Sequence, residues 1–210
     1  MASKVKLTGK YAKLANKMLR DVSALLYKYN IPYVLEAGTL LGIVRENRLL
    51  PWDNDVDITI TSHYLNDLLK KRLNFFLHGY KLKIRRYKKD MGPFKKDMVR
   101  LIKVCKKNFY LFSEENLLDI FVKYPVGDEY QWTIGEKKPV LKGVPKKYYD
   151  NHTELEYQNR KYSVPEDYEG YLECHYGDWR TPVKEWNFRT DDQSVKEIWY
   201  KQDDPEKAKE

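Results

Sequence analysis

Apolar side chains recur at three- and four-residue steps through residues 9–29. Tyr11, Leu14, Met18, Val22, Leu25 and Tyr29 form the series, with Lys, Arg and Asp between them. This spacing predicts an amphipathic helix that turns one stripe to a core, and Asn30 and Pro32 close it. Residues 33–36 read as a short strand. Gly38 marks a tight turn out of that strand, and Thr39 is placed to cap a short helix over residues 40–47. Across residues 53–61 the period changes to two. Asp53, Asp55, Asp57 and Thr59 share one face, and Asn54, Val56, Ile58 and Ile60 share the other. Ser62 is a candidate N-cap for a helix that runs to residue 77 and stops at Gly79.

Three further strands are expected at 80–87, 98–105 and 117–124, the first two joined by a loop through Gly92 and Pro93. Residues 125–165 are rich in Pro, Gly and aromatics, with strand-like pieces at 130–134 and 160–164. A last helix begins after Pro165 and ends at Gly177. No internal repeat is visible. The pattern predicts one α+β domain with a mixed sheet over residues 1–202, followed by a frayed tail at 203–210.

Composition narrows the picture. A chain of 210 residues is long enough for one buried core. Its 18 Tyr, 7 Phe and 5 Trp argue against disorder although 33% of residues are charged. No apolar run is long enough for a membrane span, and the first twenty residues lack the continuous apolar stretch of a signal peptide. Cys105 and Cys174 have no CxxC spacing, so a reducing cytoplasm is the expected compartment. The net charge of +8 suits a polyanion, an anionic membrane surface or a phosphate-bearing substrate, and simple solubility accounts for it equally well.

The aspartates carry the chemistry. Asp is depleted in strands, yet three follow one another on one face at about 7 Å intervals. Two unit charges drawn to about 4 Å cost on the order of 4 kcal/mol at an effective dielectric of ~20. A solvated outer face does not call for such crowding, whereas a divalent cation with hard oxygen ligands reverses its cost. Gly38 and Thr39, between a strand and a helix, let a backbone approach an anion, as an ordinary turn also would. Asp119 stands alone in the apolar run NLLDIFVKY. A buried unpaired Asp is costly, so it must face a cation or a partner such as Arg100 or Lys123.

With these residues in view, the stretch GTLLGIVRENRLLPWDNDVDITI closely resembles the signature of the LicD/fukutin-type transferases of the nucleotidyltransferase fold superfamily. Their pattern is hG[GS]…Dh[DE]h…h[DE]h. Gly38 and Thr39 match its first element, Asp55 and Asp57 its second and Asp119 its third. Arg45, Trp52 and Asp53 also fall where that family has them, and residues 162–182 look like its closing segment. The chain departs in Asn54, where the family usually has Asp on the non-catalytic face. It also lacks the cysteine-rich insertion of some animal relatives, so it is expected to hold little beyond a minimal catalytic domain.

The resemblance implies a transferase moving phosphocholine, ribitol phosphate or a similar group from a CDP-linked donor to a glycan or glycolipid hydroxyl. It implies Mg²⁺ or Mn²⁺ on Asp55 and Asp57, with Asp119 as a third ligand or as the proton acceptor. Asp53 would be a further ligand or an anchor behind them. Gly38, Thr39 and Arg45 would hold phosphate, and Trp52 would stack on a base or sugar or pack beside its turn. Two other readings stay open: a nucleotidyltransferase moving NMP from an NTP to a small molecule, and a non-catalytic polyanion binder. No nucleic-acid module is recognisable, and none is expected to bind. The four histidines lack ligand spacing and are expected to be structural or exposed. Arg85, Arg86, Lys95, Lys96 and Arg100 form a candidate basic rim for nucleotide phosphates or an anionic membrane surface. Tyr148, Tyr149 and the segment from Trp179 to Trp186 are candidates for an acceptor groove.

Overall fold

The computed structural model describes residues 5–107, 114–135, 138–183 and 185–199, so the expected tail at 203–210 lies outside the described residues. The first helix, α1 (Gly9–Lys28), buries Met18, Val22 and Leu25 as the periodicity requires, and adds Leu19 and Leu26. Asn30 takes a positive φ of 53° just beyond it. The chain then enters β1 (Val34–Leu35) and α2 (Ala37–Glu46). Gly38 and Thr39 therefore lie inside the first turn of α2, with Glu36 at the N-cap position, rather than ahead of a helix capped by Thr39.

The aspartate segment is a strand only from its fourth residue onward. β2 spans Val56–Thr61, and its ladder begins at Val56 opposite Leu118. Asp53 is held in a turn instead: its N–H donates to the Leu50 carbonyl, and its own carbonyl accepts from Leu7 N–H. The single helix expected over 62–77 is divided into a 3-10 turn (Ser62–Tyr64), α3 (Leu65–Lys70) and α4 (Arg72–Leu77). Ser62 makes no capping contact, and Lys71 N–H bonds the Leu68 carbonyl three residues back, tightening the chain at the break.

The sheet follows. β3 (Tyr80–Arg86), β4 (Val99–Lys107), β5 (Glu114–Val126), β6 (Glu129–Ile134), β7 (Val140–Pro145) and β10 (Val195–Ile198) join β1 and β2 in one eight-stranded mixed sheet. Long β5 lies at its centre, parallel to β2 and antiparallel to β4 and β6. A separate hairpin, β8 (His152–Tyr157) and β9 (Arg160–Pro165), turns through Gln158 and Asn159, both at positive φ. Short α5 (Lys147–Asp150) precedes it and α6 (Tyr168–Tyr176) follows. Pro165 closes β9 rather than opening α6, which is capped by Asp167 accepting from Gly170 N–H at 3.0 Å. Gly177 ends α6 at φ +62° as expected. The main apolar core, from Leu7 to Trp179, packs α1, α2 and α6 with the sheet and with the β8–β9 hairpin, and a smaller cluster gathers Tyr87, Phe94 and Leu141. Among the described residues no helix is long and apolar enough to cross a membrane.

Candidate active site

Strand register assembles the acids. Parallel pairing sets Asp57 of β2 beside Asp119 of β5, and antiparallel pairing sets Lys103 of β4 on the other side of Asp119. Neighbouring strands are about 4.8 Å apart, so these three side chains form a row across the sheet. Asp55 joins them from the turn before β2. One carboxylate oxygen from each of Asp55, Asp57 and Asp119 lies within 4.8 Å of the others. Asp119 Oδ2 accepts from Lys103 Nζ at 2.7 Å, while Asp119 Oδ1 is buried without a hydrogen-bond partner. The cation beside Asp119 is thus Lys103, not Arg100 or Lys123 as the sequence suggested. Arg100 donates to the Gly135 carbonyl and Lys123 to Glu36.

Burial raises the carboxyl pKa of these acids. Asp53 is brought to about 6, with Lys6 opposing the rise. Asp55 is brought to about 6 by burial and then by the Asp119 charge, with Lys103 opposing. Asp57 is driven well above the usual range by burial, then by Asp55 and Asp119. All three shifts are upward, so the folded protein holds protons that the unfolded chain has released. The resulting stability is full below the ordinary carboxylate range and is lost as pH rises through about 6. Metal-free protein is therefore expected to melt higher at about pH 5.5 than at about pH 7.5. Added Mg²⁺ should raise the midpoint at the higher pH and change it little at the lower. A midpoint insensitive to both in thermal scans would contradict this account of the cluster.

The segment before and through the start of α2 grips Asp57 from both sides. Its N–H donates to Thr39 Oγ1 at 2.9 Å, and its carbonyl accepts from Glu36 N–H at 3.0 Å. A Cβ on Gly38 would run into the Asp53 carboxylate, so only glycine admits that side chain at the amino end of α2. A carboxylate there also meets the positive end of the helix dipole. Arg45 lies about 10 Å farther along α2 by the helical rise. Its guanidinium donates to the Trp179 carbonyl at 3.2 Å and to Glu46 at 2.9 Å. Trp52 is 49% exposed on the turn leading to the cluster rather than buried beside that turn. Its carbonyl accepts from Lys6.

No local pattern in the sequence marks Glu36, which reads there as the end of a strand. It is buried and meets Lys123 Nζ at 2.6 Å, Thr59 Oγ1 at 2.7 Å and Tyr149 Oη at 3.1 Å. Lys123, fully buried, also donates to Tyr149 and lies 3.4 Å from the Trp132 ring centroid. Burial lowers its pKa to about 8 against the pull of Glu36. Burial works to raise the Glu36 carboxyl, but Lys123 and the hydrogen bonds outweigh it and hold the group below its usual range. Tyr148, Tyr149 and Trp179 are buried in the core, and Trp186 is half-buried. His63, His78 and His152 are exposed. His175 is buried, with Nδ1 3.0 Å from Asp192 Oδ2, which also accepts from Lys142 at 2.5 Å. Arg85, Arg86, Lys95 and Lys96 are exposed and Arg100 is half-buried.

Comparison with known proteins bears on the same residues. The family model described as LicD/FKTN/FKRP, nucleotidyltransferase domain, matches residues 30–167, a stretch that contains Glu36, Asp53, Asp55, Asp57, Lys103 and Asp119. An uncharacterised protein of Rickettsia prowazekii is 33% identical over 123 residues, covering 58% of this chain and 44% of that protein. The ribitol-5-phosphate transferase FKTN of Macaca fascicularis is 28% identical over 196 residues, covering 90% of this chain and 38% of its own length. The lipopolysaccharide cholinephosphotransferase LicD of Haemophilus influenzae is 22% identical, covering 74% of this chain and 84% of its own. The chain thus spans less than half the length of the first two of these relatives.

Proposed function

Because the chain belongs to the LicD/FKTN/FKRP nucleotidyltransferase-domain family, we propose that it is a metal-dependent transferase. It moves a substituted phosphoryl group, such as phosphocholine or ribitol phosphate, from a CDP-linked donor to a glycan or glycolipid hydroxyl. The observation that carries this reading is the gathering of one carboxylate oxygen each from Asp55, Asp57 and Asp119 within 4.8 Å of one another, with Asp119 Oδ1 buried and without a hydrogen-bond partner. Three hard anionic donors, one of them without a hydrogen bond, fit Mg²⁺ or Mn²⁺. The activities for which FKTN and LicD are named, ribitol-5-phosphate transfer and cholinephosphate transfer, support the substrate class.

Asp55, Asp57 and Asp119 would hold the ion. When bound, it supplies positive charge to offset the charge that develops on the transferred phosphoryl group. Lys103 fixes the Asp119 carboxylate through Oδ2 and leaves the buried Oδ1 without a partner, which favours a ligand role for Asp119 over a proton acceptor. The acceptor hydroxyl attacks the phosphorus that bears the head group. The bond from that phosphorus to the bridging oxygen breaks, and CMP departs with that oxygen. Asp53, whose carboxylate lies against Gly38 at the amino end of α2 and outside the three-oxygen set, would take the hydroxyl proton or anchor the cluster from behind. Gly38 and Thr39 hold the amino end of α2 against the cluster, where the donor phosphates approach. Trp52 offers an exposed ring to the cytosine or the acceptor sugar.

Product analysis tests the reading. With Mg²⁺ and a glycan acceptor, mass spectrometry is expected to find CMP and a head-group phosphate on the acceptor when CDP-choline or CDP-ribitol is supplied. Consumption of NTPs alone, with a nucleotide appearing on the acceptor, would replace it with NMP transfer.

A further inference from the structure

We infer that α4 is a docking surface for a bilayer rich in anionic lipid. This six-residue helix is amphipathic in an unusual sense, because it carries apolar groups on both sides. Phe75 is fully buried against the core, while Leu73, Phe76 and Leu77 point the other way and are 68%, 47% and 73% exposed. Positions 73, 76 and 77 fall within about 100° of one another on a helix, so they make one continuous outward stripe. Single exposed leucines need no explanation, but three large apolar groups side by side on a short helix do.

Charge selects the occupant. From Asp67 to Asp90 the chain has no carboxylate between those two, yet it has nine lysines and arginines. Lys70, Lys71 and Arg72 immediately precede the stripe, and the other six lie along β3 and the loop after it. Lys71 and Lys28 both reach the Tyr29 ring, at 5.1 and 5.6 Å from its centroid, which sets the end of α1 beside the same surface. Protruding Leu and Phe flanked by Lys and Arg is the chemistry of an interfacial anchor, with apolar groups entering the acyl boundary and cations meeting anionic headgroups.

The register adds orientation. Tyr80, just after α4, pairs with Lys106, which pairs with Glu115, four residues before Asp119 on β5. The α4–β3 joint and the acidic cluster therefore sit at the same end of the sheet. For the transfer proposed above, a bilayer bound at this end of the sheet favours an acceptor carried in the membrane. The docking itself does not depend on that reaction.

Flotation of the full chain with vesicles tests it, with no catalysis in the readout. Binding is expected to vesicles containing about one third phosphatidylglycerol but not to pure phosphatidylcholine, and to fall steeply with salt. Leu73→Ser with Leu77→Ser should weaken binding about tenfold or more while the far-UV spectrum and thermal midpoint stay unchanged. Lys70→Gln with Arg72→Gln should weaken it by a similar factor. Failure of the parent to float, or equal flotation of the leucine variant, overturns the proposal. So does a parent dimer in dilute solution that the leucine variant converts to monomer, since a second copy would then be the occupant.

Discussion

Replacing Asp57 with Asn is expected to lower turnover about a thousandfold while leaving the metal-free protein at least as heat-stable as the parent. The two halves of this result come from one cause. Asp57 is buried beside Asp55 and Asp119, and its carboxyl is forced well above the usual range by burial and by those neighbours. In the absence of a cation its negative charge is a cost to the fold, and the isosteric amide removes that cost. Thr39 and Glu36 hold the main chain of Asp57, not its carboxylate, so their contacts survive the change. The amide is a much weaker ligand for a hard dication. Losing several kcal/mol of charge stabilisation in the transition state corresponds to roughly three powers of ten in rate. Steady-state rates and a thermal scan on the same preparation check both halves. A variant that keeps most of its turnover, or that melts well below the parent, contradicts the assignment.

The second large effect is on the fold. Lys123→Met is expected to cost about 3–5 kcal/mol, because it leaves the Glu36 carboxylate buried with its cation gone. For a chain of this size that lowers the thermal midpoint by on the order of 10 °C. Adding Glu36→Gln to the same protein should recover part of the loss. A neutral pair of similar volume avoids the stranded charge, and Thr59 and Tyr149 can still hydrogen-bond the amide. Because Glu36 N–H also holds the Asp57 carbonyl, the single variant should bind metal less tightly even below its midpoint. A midpoint within 1–2 °C of the parent, about the size of a surface substitution, would show that the ion pair does not brace this end of the sheet.

Much of this arrangement is legible in the chain because the patterns are local. The stripe from Tyr11 to Tyr29 declares α1, and the alternation after Val56 declares β2. The lone acid in NLLDIFVKY marks Asp119. What the sequence conceals is set by pairing between distant strands. Lys103 is one lysine among many until β4 aligns it with Asp119. Glu36 looks like a strand end until Lys123, 87 residues later, closes on it. β7 goes unread because Lys142 and Gly143 interrupt its apolar run, and only Asp192 makes a buried lysine tolerable there. The β8–β9 turn uses Gln158 and Asn159 at positive φ in place of the Asn-Gly that announces such hairpins. Extrapolating the period-two pattern back to Asp53 fails for a related reason: the carbonyl of that residue is taken by Leu7, from the other side of α1. The α4 stripe is visible as apolar residues in the sequence, but its outward direction depends on Phe75 occupying the core.

The most direct test is a titration of the purified chain with Mn²⁺ in the presence of CDP, followed by calorimetry or by the loss of the free-ion spin-resonance signal. Saturable uptake is expected in the parent, weakening as pH falls through about 6 and abolished by Asp57→Asn. No uptake in the parent, or equal uptake in that variant, would contradict the claim that these carboxylates gather around a metal ion.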